Sequence, residues 1–165
     1  MLPCTREGQF RAHIRRYLLT EAKSGAVGIR INCELFAEPG EQGWLDLEEA
    51  LEADGTIWVI KKDGQVNDNA FKGLMDYTGW DGNLQTIASQ GWVPNKCSVT
   101  IKREEYEGNV SFRVSFVNDY EARPTMSSAR AAELQLKYGM KLQRAGGSAM
   151  PIQPSPGMDE KDIPF

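Results

Sequence analysis

The residues best equipped for chemistry lie at the end of the chain, where Asp159-Glu160-Lys161-Asp162 leads into Ile163-Pro164-Phe165. An apolar anchor carrying a free carboxylate fits a small pocket flanked by Arg or Lys on a partner, and the acids before it steer the encounter. Pro164 limits the freedom that docking removes. A second chemistry is written in the charge distribution. The net charge is −4, yet Met1 to Arg30 holds six cations against two acids, and Glu34 to Asp54 holds eight acids and no cation. Such polarity predicts one basic surface suited to a polyanion, although a solvated structural face gives the same counts. Catalysis finds few parts. There is one histidine, no Gly-rich phosphate loop and no Gly-x-Ser-x-Gly, so no enzyme and no cofactor are expected. Cys4, Cys33 and Cys97 with His13 could be weighed as zinc ligands, but no Cys-x-x-Cys pair supports them, and no metal is expected. A metal-dependent nuclease built on Asp63 and Asp68 is a distant alternative.

These groups must be positioned by one core, because 165 residues suffice for one ordinary domain plus appendages. No apolar run approaches the ~18 residues that cross a bilayer. No apolar stretch follows Arg6 and Arg11 as a secretory signal requires. Three widely spaced cysteines fit reduced thiols. A cytoplasmic location is expected.

Residues Gly8 to Thr20 alternate with period two, placing Phe10, Ala12 and Ile14 on one side and Arg11, His13, Arg15 and Tyr17 on the other. After a turn at Glu21 to Gly25, Val27, Ile29, Ile31, Cys33 and Leu35 alternate again, so the two runs pair as a long hairpin. Gly40 to Asp54 is expected to be an acidic, partly helical insertion, with Asp46 and Glu49 spaced as a capping box. Thr56 to Lys61 is a third strand ending at the turn dipeptide Asp63-Gly64. A helix follows, with Asn67, Asp68 or Asn69 as its cap and Phe71, Leu74, Met75 and Thr78 on one face. Beyond a loop bearing Trp80 and Trp92, Val99 and Ile101 pair through the turn Tyr106 to Asn109 with Phe112, Val114 and Phe116.

The order strand, strand, strand, helix, strand, strand is that of the OB barrel. The expected fold is therefore mainly β: a five-stranded OB barrel with an inserted helix, a C-terminal helix and a disordered tail. The domain covers residues 1–125. Residues 126–144 form the C-terminal helix, with one apolar stripe of Ala129, Ala132, Leu136 and Met140 and another of Ala131, Leu134, Tyr138 and Leu142. Two stripes suggest a helix held between its own barrel and a second subunit; the other reading leaves one stripe exposed. Residues 145–158, with three glycines, three prolines and no charge, form a flexible linker, and 159–165 an acidic tip.

The last four residues resemble the tip of bacterial-type single-stranded-DNA-binding proteins, in which acids precede a final Asp-Ile-Pro-Phe. The body is more similar to phage-encoded members of the OB group. Gly8-Gln9-Phe10-Arg11-Ala12, and Val99-Thr100-Ile101-Lys102 to Val114 around a Tyr-x-Gly turn, carry that resemblance over residues 8 to 118. The acidic stretch and the segment from Trp80 to Trp92 have no counterpart in it. The resemblance implies a protein that binds and protects single-stranded DNA without strong sequence preference during phage replication, recombination and repair. It also implies recruitment of replication or recombination proteins through Asp159, Glu160, Asp162, Ile163, Pro164 and Phe165.

Binding of that kind needs cations along the phosphates and exposed aromatics under the bases. An OB barrel receives its ligand across strands two and three and on the loops joining strands one to two and four to five. Those elements offer Lys23, Arg30, Asn32, Trp58, Lys61, Lys62, Lys102, Arg103, Tyr106 and Arg113, with Arg15 and Tyr17 extending the groove. Trp58 sits among Ile57, Val59 and Ile60 and serves equally as a core residue; Trp80 and Trp92 could plug a barrel end. The lysine and arginine pairs could be solvated strand ends. The main rival function is an OB-type adaptor that contacts proteins only. Expected partners are single-stranded DNA, replication proteins and a second copy of the chain; no membrane is involved.

Overall fold

The computed structural model describes residues 1–122 and 128–147, in two compact units divided after Pro124. The first unit is mainly β. Its strands are β1 (Leu2–Pro3), β2 (Gly8–Glu21), β3 (Val27–Gly40), β4 (Gly43–Ile60), β5 (Cys97–Tyr106) and β6 (Asn109–Asn118), with helices α1 (Asp68–Thr78) and α2 (Leu84–Ala88) between β4 and β5. Neighbours in the sheet run β1-β4-β3-β2-β5-β6, and a further parallel pairing of β4 with β6 closes strands β2 to β6 into a ring.

The ring follows from alternation. Ile29, Ile31, Cys33 and Leu35 of β3, Leu51, Ala53, Ile57 and Val59 of β4, and Val99 and Ile101 of β5 are buried inside it with Phe10, Ala12 and Ile14 of β2. Period two sends their neighbours outward. At the seam, Asp54 pairs with Arg113, and the inward position beside it is Gly55. A Cβ there would lie 2.1 Å from the Val114 carbonyl oxygen, so the two backbones approach only because this residue has no side chain. Leu74 of α1, Ile87 of α2, Trp80 and Trp92 are buried in the same core. The two tryptophans are thus core residues.

The expected acidic insertion does not exist. Residues 43–60 are one continuous strand, paired with β3 from Gly40↔Gly43 to Ala37↔Asp46 and from Leu35↔Leu51 to Val27↔Ile60, with a bulge at residues 47–50 between the two stretches. Leu51, Ala53, Gly55, Ile57 and Val59 extend the inward period across the boundary assumed at Thr56, and the ladder with β3 on both sides of residues 47–50 overrides the weak local helix signal of Asp46 and Glu49. The acids lie on the outward face or near the hairpin tip. Strand β1, with Leu2 opposite Leu51, was not expected.

The second unit contains α3 (Ser128–Gly147), so the first three residues assigned to the linker continue the helix. Leu136 and Met140 of one expected stripe and Leu142 of the other are exposed. The remaining linker and the tip lie outside the described residues. Among the described residues, no helix is long and apolar enough to cross a membrane.

Candidate nucleic-acid interface

On the outer face of β3 and β4 the ladder fixes three rows: Gly28 opposite Trp58, Arg30 opposite Thr56, and Asn32 opposite Asp54. Strand β2 adds Leu18 beside Arg30 and Arg16 beside Asn32. Trp58 is 39% exposed, and a Cβ at Gly28 would sit 2.8 Å from its Cε3; the indole therefore lies against bare backbone. Its strand position is held by Asn67, whose side-chain amide donates to the Trp58 carbonyl at 3.0 Å. Trp58 is a surface aromatic.

Beyond Trp58 the chain makes two turns side by side. In one, Gly25 donates to the Ala22 carbonyl, which presents Lys23; in the other, Gly64 donates to the Lys61 carbonyl, which presents Lys61 and Lys62. A Cβ on Gly25 would be 4.0 Å from the Lys62 carbonyl oxygen, so the turns touch. Lys23, Arg30, Lys61 and Lys62 are exposed and gather around one end of the β3–β4 face with Trp58.

Strands β5 and β6 extend past the ring as an arm on which residues 102–110 are all exposed. Glu107 (φ 50°) and Gly108 (φ 80°) form its two-residue turn, as a tight hairpin with positive φ at both positions requires. Tyr106, 75% exposed, stands beside that turn. Lys102 faces Arg113 across the strands, and its Nζ lies 5.0 Å from the centre of the exposed Phe116 ring. Arg113 adjoins Asp54 at the seam, which joins the base of the arm to the β3–β4 face. Arg103 is turned to Glu105 at 3.3 Å.

One candidate, Tyr17, is placed differently from the alternation reading, and two others, Arg15 and Asn32, are already engaged by carboxylates. Arg15 is an extra residue in β2, since Ile14 pairs with Cys33 and Arg16 already with Asn32. This bulge reverses the facing of the residues beyond it. Tyr17 therefore turns inward: its hydroxyl donates to the Trp92 carbonyl and accepts from the Trp92 N–H, both at 2.8 Å, and the two rings lie 4.9 Å apart. It braces the loop before β5 and is not on the outer face. Arg15 itself pairs with Glu34 at 3.5 Å. Asn32 is nearly buried, and its amide donates to Glu52 Oε1 at 2.9 Å and Asp54 Oδ1 at 2.5 Å.

Two surface residues escaped the sequence reading. Leu18 and Phe116, 59% and 54% exposed, sit on the outer face because β2 and β6 are bulged; Ser115 is the extra residue of β6. A bulge leaves no signal in an alternating pattern.

No family model and no curated protein sequence matches the chain.

The three thiols are buried. Burial, with Cys97 and Asp54 nearby, pushes the Cys33 thiol well up, and burial pushes Cys97 to about 12. His13 is exposed, on the opposite side of β2 from its buried neighbours Ala12 and Ile14. The chemistry of the outer face is one of charge and stacking: cations on both flanks, aromatics at Trp58, Phe116 and Tyr106, and two fixed carboxylates between them.

Proposed function

We propose that the chain binds single-stranded DNA without strong sequence preference, as an OB-type barrel. Numbering the ring strands β2 to β6 as one to five gives the closed order 1-2-3-5-4, with strands three and five parallel and a helix between three and four. This order supports the OB assignment. An OB barrel takes oligonucleotides across strands two and three and the one-to-two and four-to-five loops. Those elements here are β3 and β4 with Arg30 and Trp58, the turn of Lys23, and the arm of Tyr106.

The observation that carries the reading is the gathering of one exposed tryptophan and four cations, Lys23, Arg30, Lys61 and Lys62, at the end of that face. Cations would follow phosphates while Trp58, Phe116 and Tyr106 stack on bases, each stacked base contributing ~1–3 kcal/mol. Arg15 and Arg16, both exposed, lie 3.5 Å from Glu34 and 3.9 Å from Glu52, which are half-buried. Pairs this long on exposed arginines are worth little, so both arginines are available to exchange partners.

In this account the protein coats single strands during phage replication, recombination or repair. The acidic tip, Asp159 to Phe165, recruits replication proteins, and the exposed apolar residues of α3 meet a second copy. Glu52 and Asp54, in the middle of the same face, favour the rival reading of a protein-binding adaptor. Ultraviolet crosslinking to oligo-dT, followed by peptide mapping, separates the two. The DNA reading expects crosslinks at Trp58 and on the arm at Tyr106 or Phe116; absence of crosslinks at these positions would refute it.

A further inference from the structure

The helix α3 carries a charge pattern that the barrel does not explain. It holds Arg130, Lys137, Lys141 and Arg144 against one acid, Glu133, for a net +3 in a chain of net −4. At 3.6 residues per turn the four cations fall within about 60° of one another along roughly 21 Å of helix, and all four are exposed. Lys137 and Lys141 stand four residues apart, and Lys141 and Arg144 three, spacings at which like charges repel and weaken a helix. The exposed Tyr138 ring gathers the two lysines all the same: Lys137 Nζ lies 5.2 Å and Lys141 Nζ 5.9 Å from its centre, so two ammonium groups share one aromatic face. Compensation of the helix dipole accounts for a cation in the last turn, which is Arg144. It does not reach Lys137, ten residues before the helix end at Gly147. A helix lying on a membrane sets an apolar face against its cations. Here the face opposite them holds Ala132, Gln135, Gly139 and Gln143.

Resting on the single-strand reading, we propose that the cationic stripe of α3 is a second nucleic-acid site, which takes the phosphates of the strand whose bases the barrel holds. Phosphates follow one another as a row of anions, and a straight row of cations neutralises several at once. The repulsion within the stripe is then relieved, and the counterions released from the strand add to the affinity. Residues 119–127 join α3 to the barrel, so a strand captured by one is presented to the other at high effective concentration. The stripe meets backbone only, so it reads no sequence and does not separate single strands from duplex. That discrimination stays with the barrel, where Trp58 and the arm need unpaired bases.

The full chain with Lys137→Gln and Lys141→Gln together tests this, by anisotropy titration against oligo-dT and a duplex of matched length over a range of salt. The slope of log affinity against log[salt] is expected to become shallower by about 1.4 on oligo-dT and about 1.8 on duplex, from ~0.7 and ~0.9 per phosphate contact. Glutamine forms helix nearly as well as lysine, so helical circular dichroism is expected to be retained. Lys137→Arg with Lys141→Arg keeps both charges and is expected to keep both slopes. Unchanged slopes in the glutamine variant overturn the site. So does a loss shared by the arginine variant, which would make the lysines structural, or a gain in affinity, which would give the stripe to Asp159, Glu160 and Asp162 of the chain instead. Binding of neither nucleic acid by the unaltered protein overturns the single-strand reading itself, and is thereby distinct.

Discussion

Trp58 lies on Gly28: the glycine is directly opposite it in the β3–β4 ladder, and a Cβ there would stand 2.8 Å from Trp58 Cε3 and 2.6 Å from Thr56 Cγ2. The bare backbone is the bed on which the indole rests while keeping its outer face open. Gly28→Ala should lift the ring from its position and weaken oligo-dT binding. Trp58→Ala should weaken it about 5- to 100-fold, the range expected for one lost stacked base. The two effects should not add, because Gly28→Ala has little to disturb once the indole is gone. Fluorescence titration of the two single variants and the double variant measures this.

Ring closure depends on Gly55 in the same way that Trp58 depends on Gly28, but against rigid backbone. The Val114 carbonyl oxygen, 2.1 Å from a Cβ at Gly55, cannot rotate away as a side chain does. Gly55→Ala should cost about 3 kcal/mol or more, beyond ordinary overpacking. Gly91→Ala, whose nearest neighbour would be the Ser89 hydroxyl at 3.4 Å, should cost far less. Urea denaturation of both variants checks the contrast.

The bond between Tyr17 and the Trp92 backbone predicts a residue important for stability and indifferent to DNA. Tyr17→Phe removes the partner of both Trp92 backbone groups and should destabilise by about 1–3 kcal/mol, with oligo-dT affinity within twofold of the original. A large affinity loss in a folded Tyr17→Phe protein would place Tyr17 in the binding surface after all.

Tyr17 also marks the limit of what the sequence reveals. Strand periods at Val27 to Leu35 and Val99 to Ile101 were legible because inward residues recur every second position without interruption, and the turn within Tyr106 to Asn109 because Gly108 and Asn109 separate two alternating runs. The helix α1 was legible from the run Asn67-Asp68-Asn69 before it and its apolar face, although the Asn67 side chain, at the N-cap position, bonds the Trp58 carbonyl and not the helix. Alternation fails where a strand gains a residue. Arg15 in β2 and Ser115 in β6 each reverse the facing of the residues C-terminal to them, which moved Tyr17 in and Leu18 and Phe116 out. The acidic half of β4 was hidden for another reason: its charges fit a solvated helix as well as an outward strand face, and only pairing with β3 decides between them. The surface position of Trp58 was open because Ile57, Val59 and Ile60 surround it in sequence. Partners across a ladder, such as Gly28, are not neighbours in the chain.

The buried thiols give a pH dependence whose sign is fixed. Cys97 releases its proton near 9.0 when solvated and only at about 12 in the folded chain, and Cys33 is shifted in the same direction. The folded state therefore holds these protons longer than the unfolded state does. Their contribution is fully present below about pH 9 and is lost as pH rises towards 12. In chemical denaturation between pH 8 and 11, Cys97→Ala should show a shallower alkaline loss of stability than the unaltered protein. At pH 8, a thiol reagent should modify Cys33 and Cys97 only on unfolding.

The claim that the outer face of β3 and β4 holds a single strand is tested most directly by titrating labelled oligo-dT and a matched duplex at low and high salt while following anisotropy and tryptophan quenching. The expected result is tight binding of oligo-dT, weak binding of duplex, quenching of Trp58 that is absent in Trp58→Ala, and a log affinity that falls linearly with log[salt]. Lys61→Gln and Lys62→Gln should each reduce that slope by roughly 0.7, the value per single-strand phosphate contact. Failure to bind oligo-dT at low salt, or equal binding of duplex, would contradict it.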